Sequence, residues 1–258
     1  MTIRKGTNPI QSLDRGLAIL EMVGQARRPI SVAELTPVLG IDRSSVFRLA
    51  NTLKMRGFLI QLPSKEYVLG PAVRRLANSF RWSRGLEQIA RQQVAALAAA
   101  TGETTHLVIR EGRQALFVDH ELTAQPVGVS VSSGRCEPLH CTAVGKALIV
   151  DYDLAELEKL FGDEPLSIPT RRAIRSVAEL AKECQRTQKR GYAVDNEEFH
   201  KGVRCVAAPI RDGSGQVIAA IGISAPIGRL PENRCEKAGQ EVKRAALEIS
   251  GKLGYVPA

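Results

Sequence analysis

The spacing of apolar residues divides the chain into two stretches of different character. From Pro9 to Ala26, apolar side chains fall at Ile10, Leu13, Leu17, Leu20 and Val23, the three- and four-residue rhythm of a helix. "SVAELTPVLG" opens a second helix with Ser31 as N-cap and Glu34 three residues on, a capping box, and Gly40 closes it. Pro37 lies inside and removes one backbone hydrogen bond, so a kink or a tight turn is expected there and not the loss of the helix. A third helix is predicted in "IDRSSVFRLANTLKMRG", capped by Asp42, with Val46, Leu49 and Leu53 inward. Arg43, Ser44, Ser45, Arg48 and Asn51 are left outward. Two short β-rich runs then flank "PSKE", a hairpin with Lys65 at its tip.

Pro71 begins a further helical pattern, "PAVRRLANSFRWSRGLEQIARQQVAALAAATG", expected to be one amphipathic connecting helix weakly broken at Gly85. Its Leu76, Phe80, Trp82 and Leu86 form an apolar set suited to a second copy of the chain. Past Thr101 the rhythm shortens to two. Strands are predicted in "TTHLVIREG", "QALFVDHEL", "VGVSVSSG", "GVRCVAAPIRD" and "GQVIAAIGISAP". Helices are predicted at about 142–150, 153–161, 177–190 and 232–252. Strands with segregated helices give an α+β domain with one mixed-edge sheet.

Charge sharpens the division. Residues 1–91 hold 15 Lys/Arg and 6 Asp/Glu, while the other 167 hold 21 of each, so the whole net charge of +9 lies in the first third. A positive field confined to a helix-turn-helix with a hairpin wing draws in a polyanion and steers it. In such a module the N-terminal part of the second helix of the pair enters the major groove, where Arg bonds guanine bidentately and short hydroxyls permit close approach. Arg43, Ser44, Ser45, Arg48 and Asn51 are therefore the candidate DNA contacts, with Lys65 on a phosphate. The low aromatic content, 4%, argues against a surface of stacked single-stranded bases.

No apolar run approaches the roughly 20 residues of a membrane helix, and the N-terminus lacks a secretory pattern. With five unpatterned cysteines, this gives an expectation of reduced thiols in a cytoplasmic protein.

The neutral two-thirds carries the chemistry-bearing cluster "GYAVDNEEFHKGVRCVAAPI". Cys205 with His200 as base would make a nucleophilic pair if an oxyanion hole stood nearby. Strand alternation instead puts Val203, Cys205 and Ala207 on one face and makes Cys205 a wall residue. Asp195 is the carboxylate placed at a strand end, on the rim of a pocket, to accept ligand hydroxyls, whereas Glu197 and Glu198 read as solvated or paired with Lys/Arg. "CEPLHC", with Cys136, His140 and Cys141, lacks zinc spacing, and Lys146 in "AVGKAL" lacks a phosphate-loop context. No catalytic residue, metal or cofactor is expected. The alternative is a Cys205-dependent small-molecule enzyme with an accessory DNA-binding domain.

"EPLHCTAVGKALI", "GYAVDNEEFHKGVRCVAAPIRD" and "AAIGISAP", behind "QSLDRGLAIL" and "AELTPVLGIDRSSVFRLANTL", resemble the IclR family of bacterial transcription regulators from about residue 9 to 254. The resemblance implies a winged helix-turn-helix DNA-binding domain (1–70), a linker and dimerisation helix (71–100) and a GAF-like or PAS-like α+β effector-binding domain (101–258). It also implies a transcription regulator, repressor or activator, acting on double-stranded operator DNA as a homodimer or homotetramer and controlled by a small organic or aromatic acid. Effector contacts carried over are Asp195, Cys205, Ser224, Ala143, Val144 and the apolar wall position Val129. Gly222 stands where family members that bind small keto-acids tend to have serine. That departure implies a missing hydroxyl, a larger pocket and a bulkier or differently held effector.

Overall fold

Helix α1 (Gln11–Ala26) turns Gly16, Ile19 and Val23 inward, while Ile10, Leu13 and Leu17 stay exposed beside that stripe. Residues 10–26, 28–79 and 81–257 are described by the computed structural model, and the chain divides into two compact units, Met1–Arg81 and Trp82–Ala258.

In the first unit, α2 (Val32–Leu39) carries the Ser31–Glu34 capping box and ends on Gly40 at φ 62°. Pro37 lies within α2 and does not end it. α3 (Arg43–Met55) starts at Asp42, whose carboxylate accepts the Ser45 amide at 2.9 Å. Val46 and Ala50 are its buried positions, with Leu49 and Leu53 half-buried against the same cluster. β1 (Leu59–Gln61) and β2 (Tyr67–Leu69) pair antiparallel as the hairpin, and α4 (Pro71–Ser79) follows.

α5 (Arg81–Thr101), which from Trp82 on belongs to the second unit, runs through Gly85 without a break and buries Leu86, Ala90, Val94 and Leu97. Helix is described on both sides of residue 80, in α4 and in α5, and Leu86 is taken up by the second unit's own core. Phe80 and the side chain of Trp82 lie outside the described residues.

Six strands form one sheet: β3 (Thr104–Glu111), β4 (Gln114–Glu121), β5 (Cys136–Pro138), β6 (Ala193–Asn196), β7 (Val203–Arg211) and β8 (Val217–Pro226), in the order β5-β4-β3-β8-β7-β6. Every pairing is antiparallel, which corrects the mixed edge expected from the sequence. The run "VGVSVSSG" is not a strand either. It forms a connection, and β5 takes the edge. Its alternation was genuine, but Val131 alone of its valines is fully buried, with Val129 half-buried.

Both faces of the sheet are covered. α5 and α9 (Glu232–Lys252) pack on Leu107, Val206, Ala208, Ile210, Ile221 and Ile223. α6 (Ala143–Leu148), α7 (Leu154–Phe161) and α8 (Val177–Arg190) cover Val108, Phe117, Ala207 and Ala220. This strict parity along β7 and β8 decides which side chains face the cavity.

Candidate functional site

In the first unit, the outward face of α3 carries the predicted groove residues. Arg43, Ser44 and Arg48 are exposed, and Ser45 and Asn51 are partly so. Asp42 holds Ser44 as well as the Ser45 amide, accepting the Ser44 hydroxyl at 2.5 Å. These hydrogen bonds push the Asp42 carboxyl well below its ordinary range, so the cap stays ionised. Lys65 sits in the hairpin connection at φ 65°, a left-handed conformation that a non-glycine residue adopts at a cost. Its amide donates to the Leu62 carbonyl at 2.9 Å, which holds the exposed lysine in that turn.

In the second unit, register aligns chemistry across four strands. Asp195 on β6 is opposite Cys205 on β7, Cys205 is opposite Ser224 on β8, and Ser224 is opposite Thr104 on β3. Where α6 covers this face, a small cavity, partly open to solvent, is walled by Asp195, Cys205, Ser224, Ala143, Val144 and Val129. Six of the seven sequence-derived effector positions are thus brought together.

The seventh, Gly222, does not line the cavity, and the enlarged pocket expected there is absent. A Cβ at 222 would lie 2.9 Å from both the Ala207 Cβ and the Val206 carbonyl oxygen, and 3.1 Å from Val144 Cγ1. Gly222 belongs to the next row of the sheet, between Ala207 and His106, where small residues let α6 approach the strands. The space a serine would need is already filled by protein.

Asp195 is 2% exposed, so it is a buried wall group and not a rim residue as the sequence suggested. Its Oδ1 accepts the Glu198 amide at 2.6 Å. Burial, reinforced by the nearby Glu198 charge, pushes its carboxyl up to about 7. Glu137 is pushed up in the same sense by burial, with Arg135 opposing at 3.1 Å.

The sequence reading missed His106, Phe117, Arg135, Glu137, Thr142, Phe199 and His200, all of which line the cavity. His106 had a legible signal, because it shares strand parity with Thr104 and Val108 in an otherwise apolar run. It is fully buried against Phe117, its Nδ1 has no partner, and burial lowers its imidazole to about 3. A neutral ring results. Phe117 and Glu137 lie on β4 and β5, and Arg135, Thr142, Phe199 and His200 lie in segments between elements, so only the assembled sheet brings them to one place.

Lys146 proved to be neither phosphate ligand nor surface group. Every residue of α6 is buried, so Lys146 goes inward and places Nζ 2.5 Å from Glu198 Oε1. Glu198 is paired as expected, though buried and not solvated, while Glu197 pairs with Arg172 at 3.2 Å.

Cys205 Sγ lies 3.1 Å from Ser224 Oγ, and burial pushes its thiol far above the range of a usable thiolate. His200 is in the loop after β6, with its ring 4.2 Å from that of Phe199. No hydrogen bond joins it to Cys205 among the described residues. His140 Nε2 donates to the Ser167 carbonyl oxygen at 2.8 Å, and His140 stands outside the cavity wall. Among the described residues, no three His, Cys, Asp or Glu side chains are grouped to hold a metal ion, and no helix is long and apolar enough to cross a membrane.

Two family models match the chain: the IclR helix-turn-helix domain over residues 12–63, and the bacterial transcriptional regulator IclR C-terminal domain over residues 82–251. The HTH-type transcriptional regulator XynR of Escherichia coli (strain K12) is 30% identical over 248 residues, 95% of this chain and 98% of that protein. The transcriptional repressor IclR of the same strain is 30% identical over 251 residues, 96% of this chain and 92% of that one. The crystal structure of the Thermotoga maritima IclR superposes with a TM-score of 0.76 at 28% identity, covering 96% of this chain and all of that chain.

Proposed function

This chain belongs to the IclR family of bacterial transcriptional regulators, and on that premise we propose how its two units divide the work. The family assignment makes it a regulator with a helix-turn-helix DNA-binding domain and an effector-binding C-terminal domain, and not an enzyme. Residues 1–70 bind double-stranded operator DNA in the cytoplasm, 71–100 link and dimerise, and 101–258 sense a small organic or aromatic acid. Arg43, Ser44, Ser45, Arg48 and Asn51 enter the major groove, and Lys65 holds a phosphate. Asp195, Cys205, Ser224, Ala143, Val144 and Val129 receive the effector, which on binding lifts repression.

The observation that carries this reading is the alignment of Asp195, Cys205 and Ser224 across three strands into one cavity beneath α6. Its apolar walls, Phe117, Val129 and Val144, suit the body of an organic acid, and its polar row suits a hydroxyl. Effector binding shifts the DNA-binding equilibrium only by the difference in its affinities for the two states. The exposed Ile10, Leu13 and Leu17 stripe of α1 supports a homodimer or a homotetramer, because an apolar helix face of this kind is suited to a second copy.

A thermal-shift screen of small organic and aromatic acids tests the sensor, followed by fluorescence anisotropy on DNA upstream of the chain's own and adjacent genes. A stabilising acid that also changes DNA affinity is expected, and Asp195→Ala should abolish both effects. An acid that stabilises the Asp195→Ala protein as well as the wild type would overturn the site. DNA affinity that does not fall with salt would overturn the DNA reading.

A further inference from the structure

Phe47 is an anomaly on α3. It follows Val46, which is wholly buried, and precedes exposed Arg48, and it leaves 49% of its surface in water. The described core of the first unit is Ile19, Leu35, Val46, Ala50, Leu59 and their neighbours, and it does not include Phe47. Helical geometry places residue 47 beside 44 and 51, at spacings of three and four, so Phe47 stands on the same outward face as Ser44, Arg48 and Asn51. Half of the ring's surface is thus left uncovered by the folded monomer.

The surroundings identify what covers it. Arg43 and Arg48 are exposed on the same helix, and the residues up to 91 carry the chain's entire net positive charge. A hydrophobic partner protein would bring no charge to meet these groups, whereas duplex DNA meets both. In its major groove the phosphates complement the arginines, and the one large apolar feature is the 5-methyl group of thymine.

We propose that Phe47 is a specificity residue that packs on a thymine 5-methyl group in the operator and selects thymine at that position. The proposal rests on the reading of α3 as the helix that enters the groove, and it adds a base preference that the polar residues on this face do not provide. Arg48 and Asn51 read hydrogen-bonding edges, whereas Phe47 reads a hydrocarbon.

The test uses the full chain. Binding sites are selected from random-sequence duplexes, and one selected site is remade with deoxyuridine in place of thymine at one position at a time. This removes a methyl group and nothing else. At one thymine or more, the replacement is expected to weaken wild-type binding about fourfold, the factor that burial of a single methyl group corresponds to. Phe47→Ala should bind the thymine and uracil forms of that site equally, with a cooperative thermal melt showing that the variant is folded.

Wild-type binding that is indifferent to every uracil replacement would overturn the proposal, and this arm needs no variant to fold. So would a Phe47→Ala protein that keeps the full preference for thymine, or one whose only change is its sedimentation, which would place the ring in a contact between copies. If Arg48→Ala and Phe47→Ala both leave every duplex bound as before, the groove reading of α3 falls together with the proposal. A loss confined to the thymine preference concerns Phe47 alone.

Discussion

Lys146 Nζ lies 2.5 Å from Glu198 Oε1 and equally close to the Val194 carbonyl oxygen, so one buried ammonium ties helix α6 to the strand and loop that carry Asp195. Lys146 is 1% exposed, and removing its charge would leave the Glu198 carboxylate buried without a counter-ion. Lys146→Met should therefore destabilise the second unit by about 3–5 kcal/mol. Lys146→Met with Glu198→Leu should cost clearly less, because no lone charge remains. Urea melts of the two variants decide this, and equal losses would show that the pair is not energetically coupled.

Asp195 makes stability depend on pH in a stated direction. Its carboxyl is raised from 3.8 to about 7, so between these values the folded chain holds a proton that the unfolded chain has released. Its contribution to stability is therefore greatest at low pH and declines as pH rises through 7. Asp195→Asn should stabilise the fold at pH 8, by on the order of a few kcal/mol at most, and change its stability little at pH 4, as denaturant melts at the two pH values would read. A variant that gained equally at both values would contradict the burial of an ionisable group there.

Gly222→Ser should destabilise the protein and not restore a ligand contact. The new Cβ would be forced against Ala207 and the Val206 carbonyl, and overpacking of this kind costs about 1–3 kcal/mol. Denaturant melts with and without a stabilising acid separate the two effects. A serine variant of unchanged stability with tighter acid binding would revive the hydroxyl reading.

Lys65→Gly should move stability and DNA binding in opposite directions. Glycine relieves a left-handed backbone at φ 65°, which is worth about 1 kcal/mol. The same change removes a cation, so affinity for every duplex should fall, and the salt slope should flatten by about one unit. The melting temperature and the salt dependence of anisotropy read the two effects separately.

The first unit was legible because its signals are local. Ser31 with Glu34, Gly40 and Asp42 each set a helix end within four residues, and all of them fall where the spacing put them. The apolar face of α1 was legible as helical, but not which stripe turns inward, because Gly16, Ile19 and Val23 compete with Leu13 and Leu17 about one residue's rotation away.

In the second unit, the alternation of Val203, Cys205 and Ala207 gave the cavity face of β7 correctly. The position of Gly222 was not legible, since its role depends on Val144, far away in sequence, descending onto it. The burial of Lys146 and Asp195 escaped for the same reason. Their environment is made by elements that meet only in three dimensions, and residue type alone argues for exposure.

The strand order also has a consequence for how the sensor comes into being. β3 is the first strand of the sheet in the chain, and its inner edge is filled by β8, the last, through pairs such as Thr104 with Ser224. A growing chain that has made β3, β4 and β5 therefore carries an open strand edge until residues 217–226 emerge. Pairing across so long a loop is slow, which makes the late strand the step that commits the domain. A chain interrupted between β5 and β8 would carry a half-sheet with an open edge and lack Ser224 from the cavity wall, so the sensory half is complete only once its last strand is made.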